Sequence, residues 1–216
     1  MMSYPVRPFP RRAWERGEPI AVAISIDGIP EVEMSLKKII SGGQTGVDRG
    51  ALDAAIALGI EHGGWCPQGR QAEDGRIPDF YLLEETDSPD YPVRTERNVV
   101  ESDATLILYR GQLSGGTLLT LRLAEEHGRP CLAVDLESPI PPGEIRKWLK
   151  EHGVEVLNVA GPRESQSPGI SQLARDFMLK FFAGKTPGTS ALPSPLPSLK
   201  WRNDPSHVQT PCVRDG

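Results

Sequence analysis

The sequence has little from which to build a metal site or a disulfide framework. Its three cysteines, Cys66, Cys131 and Cys212, are scattered over 216 residues. None sits at metal-ligand spacing, and a sparse, odd count suits inert thiols in a reducing compartment. No apolar run is long enough to span a bilayer. The amino end also lacks the charged-then-apolar pattern of a secretory signal, so the expected location is cytoplasmic, away from any membrane. Positive charge is not in excess either. A net charge of -5 argues against a nucleic-acid polymer as partner. Of the four histidines, His62, His127 and His152 each directly precede a glycine. The last two close helices, and capping together with the helix dipole explains them. No Ser/His/Asp constellation at motif spacing supports nucleophilic hydrolysis.

The two ends are poor material for a core. Residues 1–33 are broken by Pro5, Pro8, Pro10 and Pro19 and dotted with arginines; only 20–26 is apolar enough for a short strand. Met34 stands just before the first convincing strand, so a true start there, with a mis-called extension upstream, is one of two open readings. From 184 to 216 the chain is rich in Pro and Ser, with prolines at 193, 195 and 197. That composition predicts a disordered or extended tail, from which Trp201 is the residue that could dock. The working domain is therefore expected over 34–183.

Within that span, strand and helix patterns alternate. A short apolar strand at 37–40 runs into a glycine turn and a helix over 47–58, with Ala51, Ala54, Ala55 and Leu58 at helical spacing. Thr45 and Asp48 have the spacing of a capping box, with Asp in place of Glu or Gln. A weak strand is expected around 60–65. Residues 66–93 form a polar, Gly/Pro-punctuated stretch too long for a mere connector, hence functional. A helix over 94–102 leads into a strand over 104–109, and a second helix runs from 116 to 126. A strand over 130–135, a helix over 143–152 and a strand over 154–159 follow. The last helix carries Ile170, Leu173, Ala174, Phe177, Met178 and Phe181 at spacings of three and four, with Pro168 at its first turn. Such alternation predicts an α/β fold, a doubly wound, mainly parallel sheet with helices on both faces. In these sheets the ligand site lies beyond the carboxyl ends of the strands.

Three glycine-rich turns fall at that edge: Ser41-Gly42-Gly43-Gln44-Thr45-Gly46-Val47-Asp48, Ser114-Gly115-Gly116-Thr117 and Gly161-Pro162-Arg163-Glu164-Ser165. Each precedes a helix whose first N–H groups are unpaired and whose dipole favours an anion, so together they point to a phosphorylated, nucleotide-like ligand. Gln44 and Thr45 can donate to such a ligand, and Asp48 can orient a hydroxyl, an amine or a metal. Arg49 follows, facing either ligand or solvent. The segment Gly69-Arg70-Gln71-Ala72-Glu73-Asp74 offers a guanidinium for phosphate and two carboxylates for the edge of a purine or pterin. Arg94 is a candidate anion contact, and Asn98 either reads the heterocycle or faces solvent with Thr95 as a cap. Ser114, Thr117 and Thr120 bring hydroxyls to one helix start. Arg163 and Ser165 add a cation and a hydroxyl in the third turn.

Taken together, the segments IISGGQTGVDRGALDAA, GWCPQGRQAEDGRIPDFYLLEET, YPVRTERNVVESDATLIL, SGGTLLT and LNVAGPRESQSPGI resemble the molybdenum cofactor carrier family. Its members look like circularly permuted, Rossmann-like relatives of the Lonely Guy phosphoribohydrolases and lysine-decarboxylase-like proteins. The resemblance covers roughly 36–183. It implies a homo-oligomer, tetramer or dimer, that binds a phosphorylated pterin (the molybdenum cofactor, molybdopterin) or a related nucleotide derivative. The phosphoribohydrolase relatives place a glutamate shortly after the Gly-Thr of their glycine turn. Here Gly116-Thr117 is followed by Leu118, Leu119 and Thr120. The resemblance thus favours holding the ligand over cutting it. The alternative is a nucleotide or nucleotide-sugar hydrolase in which Glu73 or Asp74 activates water.

Overall fold

A computed structural model describes residues 35–182. The readings of the 20–26 strand, of a start at Met34 and of the tail with Trp201 and Cys212 lie outside the described residues. In chain order the elements are β1 (Lys38–Ile40), α1 (Val47–Leu58), β2 (Glu61–Gly63), β3 (Trp65–Cys66), a single 3-10 turn (Gln68–Arg70), β4 (Gln71–Ala72), β5 (Gly75–Arg76), β6 (Glu84–Glu85), α2 (Tyr91–Val100), β7 (Ala104–Tyr109), α3 (Gly115–Glu126), β8 (Cys131–Asp135), α4 (Pro142–Glu151), β9 (Val156–Ala160) and α5 (Ile170–Phe182).

Five strands form the central sheet in the order β2-β1-β9-β7-β8, and every pairing within it is parallel. Side chains alternate between the faces of a strand, yet Ala104, Thr105, Leu106, Ile107 and Leu108 are all buried. Both faces of the sheet are therefore covered by helices, as the unbroken apolar run implied. α1 lies along α5 through its small-residue face, where Ala51, Ala54 and Ala55 share one core with Ala174 and Met178. α2 and α3 pack as a second pair. The fold is the α/β, Rossmann-like arrangement that the alternation predicted.

Four local expectations are corrected. The weak strand near 60–65 divides at Gly64 (φ 121), so β2 edges the main sheet while β3 pairs with β6. α2 starts at Tyr91, ahead of Arg94, because Pro92 has its φ preset for a first helical turn. Thr95 is accordingly inside the helix, its hydroxyl donating to the Tyr91 carbonyl at 2.9 Å, and is no cap. Pro168 precedes α5, which starts at Ile170.

The 66–93 segment is more than a connector. Cys66, Ile77, Tyr81 and Leu83 pack on Leu52 of α1 as a second small core. Arg70, only 6% exposed, ties that core together. Its guanidinium donates to the carbonyls of Ile77 (3.2 Å), Leu83 (3.0 Å), Pro78 (2.9 Å) and Tyr81 (3.0 Å). This corrects its reading as an anion contact: the fork is used up by the loop that carries it. Gly69, in the 3-10 turn, donates its N–H to Glu85 at 2.6 Å, and so also serves the loop.

Candidate ligand-binding site

β1, β9 and β7 are neighbours in the sheet, so the three glycine turns that follow them meet at its carboxyl edge. Between them lies a hollow of about 270 Å³. The first turn lines it with Gln44 and Asp48, α2 with Tyr91, Arg94 and Asn98, and α3 with Gly115, Gly116 and Thr117. β9 and the third turn contribute Asn158, Gly161 and Arg163. A second hollow, of about 430 Å³, is lined by Thr45, Gly46, Arg49, Glu73, Asp74, Glu164, Ser165 and Ser171. Gly42 and Gly43 line neither; they sit behind the first turn, against Arg94 and against Ile77 and Leu83 respectively. Exposed Ser114 is the N-cap residue of α3 and lines neither hollow.

The three turns are not equivalent, and this corrects the expectation of three open anion sites. At α1 three donors are already taken, Gln44 N–H by Asp48 (3.2 Å), Thr45 N–H by the Gln44 side chain (3.0 Å) and Val47 N–H by the Pro162 carbonyl (3.2 Å), which leaves those of Gly46 and Asp48. The Thr45–Asp48 capping box does not form. Gly46 is the N-cap residue, with no side-chain cap bond. At α5 the Glu164 carboxylate accepts from the N–H groups of Gly169 and Ser171. α3 is the start that opens into free space: among the described residues the N–H groups of Gly115 and Gly116 have no partner, and a Cβ on Gly116 would meet nothing within 4 Å. The Thr120 hydroxyl is spent on the Gly116 carbonyl at 3.0 Å.

Deeper in the same hollow, Asp48 (3% exposed) accepts from Arg94 Nη1 at 3.0 Å. Burial pushes the Asp48 carboxyl above its ordinary value, against the pull of the Arg94 guanidinium and the bond from the Gln44 N–H. Two buried donors here have no acceptor, Gln44 Nε2 and Arg94 Nε. Buried orphans of this kind are uncommon in native folds and mark a place where a partner belongs. At the hollow's wall, the Arg163 guanidinium lies 5.3 Å from the centre of the Tyr91 ring.

The acidic pair does different work from that expected. Glu73 accepts from the Thr45 and Ser165 hydroxyls and from the Ser165 N–H at 3.1 Å, with Arg163 Nε at 4.0 Å. Burial would raise its pKa, but these hydrogen bonds and the nearby cation outweigh it and hold the carboxyl below its ordinary value. Asp74 forms a two-pronged ion pair with Arg49, one prong at 2.8 Å, and that hydrogen bonding lowers its pKa. Carboxylates held ionised by several donors are poor proton acceptors. Asn98 lines the hollow, yet its amide is occupied by the Trp65 backbone, accepting at 2.8 Å and donating at 2.9 Å. It fastens β3 to α2.

Sequence reasoning passed over Tyr91, Leu119, Asn158 and Gln166, which also line the hollow. Asn158 carried a signal: an amide in the middle of the otherwise apolar strand Val-Leu-Asn-Val-Ala. It is 2% exposed and donates to Thr105 Oγ1 at 3.2 Å.

A parallel sheet with a donor-rich hollow at its carboxyl edge defines a Rossmann-like α/β ligand-binding protein. Residues 39–182 match the model of the Circularly permutated YpsA SLOG family, and the chain belongs to that family. It is similar to a protein from Syntrophus aciditrophicus SB whose crystal structure bears the name "Putative molybdenum carrier protein". The identity is 48% and the TM-score 0.66, over 68% of this chain and 95% of that one. No curated protein matches the chain. Family and neighbour alike suggest a ligand-binding role. Among the described residues no helix is long and apolar enough to cross a membrane.

Proposed function

We propose that the chain binds and carries a phosphorylated, nucleotide-like small molecule, with the molybdenum cofactor, a pterin phosphate, as the leading ligand. The observation that carries this reading is the open start of α3. Gly115 and Gly116 present free N–H groups into a hollow that also holds the buried unpaired donor of Gln44. The phosphate is held there by these amides, by Thr117 and by the Arg163 guanidinium. The planar ring lies across the hollow against Tyr91. The donors present suit this ligand, since phosphate and an oxo-pterin are both acceptors. Molybdenum held through the pterin's own dithiolene needs no ligand from the protein. The printed name of the Syntrophus protein adds support.

Carrying is favoured over cutting because the two carboxylates first considered for water activation, Glu73 and Asp74, are engaged by Thr45, Ser165 and Arg49. On this reading residues 34–183 are the working unit. The protein acts as a homo-oligomer in the cytoplasm, without a nucleic-acid or membrane partner. Native mass spectrometry of the full chain purified from its own source tests the proposal, because it gives ligand mass and oligomer size together. A bound phosphorylated pterin is expected. Protein that carries no phosphorylated small molecule, and retains none when incubated with one, would sink it.

A further inference from the structure

The two edges of the main sheet are unlike. β2 is three residues long, carries Glu61 and His62, and has Leu82 beside it, whose N–H donates to His62 Nε2 at 3.4 Å. β8 is the five-residue run Cys-Leu-Ala-Val-Asp, and among the described residues no strand pairs with its outer side. Ala104 to Leu108 of the central β7 are buried, whereas Cys131, Leu132 and Ala133 of β8 are only half-buried. An apolar edge without lysine, proline or a bulge is a template for another strand. The ladder to β7 shows which backbone groups it offers. Thr105 N–H donates to the Pro130 carbonyl and Leu136 N–H to the Tyr109 carbonyl, each at 2.8 Å. Backbone groups alternate in direction along a strand, so those of 130, 132, 134 and 136 face β7 and those of Cys131, Ala133 and Asp135 face outward. The Asp135 carbonyl already accepts from Ser138 N–H at 3.2 Å, and the N–H of Arg129, next in the outward series, donates to the Ala124 carbonyl at 2.8 Å. The N–H and carbonyl groups of Cys131 and Ala133 have no partner among the described residues.

These four groups complement one another across a two-fold axis. In an antiparallel pair, alternate opposed residues exchange both N–H···O bonds. With the axis at Leu132, Cys131 of one copy opposes Ala133 of the other and the reverse, so all four groups are paired. An axis at Ala133 would need the engaged Asp135 carbonyl, and an axis at Cys131 the engaged Arg129 N–H. Charge selects the same register. Arg129 and Asp135 stand equally far from Leu132 in the chain, so each end of the pair sets the arginine of one copy against the aspartate of the other. A parallel pairing would set like charges together. We infer that β8 is the surface through which two copies of this chain associate, edge to edge and antiparallel about Leu132, merging their five-stranded sheets into one with closed two-fold symmetry. This rests on the homo-oligomer reading above and names its surface. No residue of β8 lines either hollow, so the ligand reading is independent of it.

Native mass spectrometry of the full chain, beside its Ala133→Pro variant, tests this. The substitution removes only an outward N–H, and proline is tolerated at such an edge position, so the variant should still melt cooperatively while its assembly mass falls to about half or less. A second variant, Leu132→Cys in a Cys131→Ser background, sets two thiols opposite each other across the axis. Antiparallel pairs of the non-hydrogen-bonded kind bring Cα atoms to about 4.5 Å, within disulfide range. Mild oxidation should therefore give a covalent dimer in which peptide mapping finds residue 132 linked to its own copy. A folded Ala133→Pro chain of undiminished mass, or oxidation without that link, would overturn the surface and leave the homo-oligomer standing. A parent chain that is monomeric throughout would overturn both. If Ala133→Pro does not fold, the link at residue 132 decides alone. Retention of a phosphorylated small molecule, read from the parent's spectrum, judges the ligand proposal separately.

Discussion

Arg94 occupies the space that a side chain on residue 42 would need. A Cβ on Gly42 would run into the guanidinium, with Arg94 Nε 2.9 Å away. The first glycine of the turn thus serves an arginine about fifty positions along the chain, and through it the buried ion pair with Asp48. Gly42→Ala should push Arg94 off Asp48 and leave a buried carboxylate without its cation, at a cost of about 3 kcal/mol. Urea unfolding checks this. A midpoint unchanged from the parent would mean that the pair re-forms around the new methyl group.

The glycines of the other two turns should separate binding from folding. Gly116 faces open space in the hollow, within the first turn of α3. Gly116→Ala should leave the fold intact or stabilise it by up to about 1 kcal/mol, while its methyl group intrudes where the ligand sits and lowers affinity. Gly161 lines the same hollow but has its back against β7 and α1: a Cβ there would strike the Leu108 carbonyl and come within 2.8 Å of Val47 Cβ. Gly161→Ala should instead cost stability, about 1–3 kcal/mol from overpacking. Thermal melts run beside ligand titrations would show the crossed pattern. Equal effects of both changes on melting would remove the distinction.

What the sequence made legible here was periodicity and place. The helix over 47–58 and the strand over 104–109 were readable to the residue, since alanines at helical spacing and an unbroken apolar run are local signals. So was the edge of the sheet at which the glycine turns gather. Which donors remain free at that edge was not readable, because tertiary partners decide it. Val47 N–H is taken by Pro162, and the α5 start by Glu164. Arg70 and Arg94 have similar arginine signals in sequence, yet one fastens a loop to itself and the other reaches the hollow. Nothing local tells them apart.

Arg163 stands between the hollow and the Glu73 cluster, over the Tyr91 ring and 4.0 Å from Glu73 Oε2. A cation so loosely held is available to a phosphate at the α3 start. Arg163→Ala should weaken binding of a phosphorylated ligand roughly tenfold or more and leave the melting temperature close to that of the parent. Arg163→Lys should restore part of the affinity. Unchanged affinity in the alanine variant would release Arg163 from the site.

Arg70 should behave in the opposite way. Four carbonyls of the 77–83 stretch accept from its buried guanidinium; those of Pro78 and Tyr81 keep a backbone donor without it, whereas those of Ile77 and Leu83 have no other among the described residues. Arg70→Met should destabilise the chain by about 2–4 kcal/mol, the cost of several buried carbonyls losing a charged donor. It should also open the segment to proteolysis before the rest unfolds. Limited digestion with mass mapping of the first cut tests this; a first cut elsewhere counts against it.

The carboxylates of the site predict a pH dependence with two signs. Asp48 is raised above its ordinary value by burial, despite Arg94. It binds its proton more tightly in the folded chain, so its contribution is largest in acid and is lost as pH climbs from 3.8 through the raised value. Glu73 runs the other way. Burial is outweighed by the donors from Ser165 and Thr45 and by Arg163, so its folded pKa lies below 4.5. Its contribution is complete above that value and disappears as pH falls through the folded pKa. Glu73→Gln removes the second effect and keeps the first. The urea midpoints of parent and variant should therefore lie furthest apart above pH 4.5 and converge as the solution is made more acid. A gap that stays constant across that range would mean that the Glu73 clamp is held by shape and not by charge.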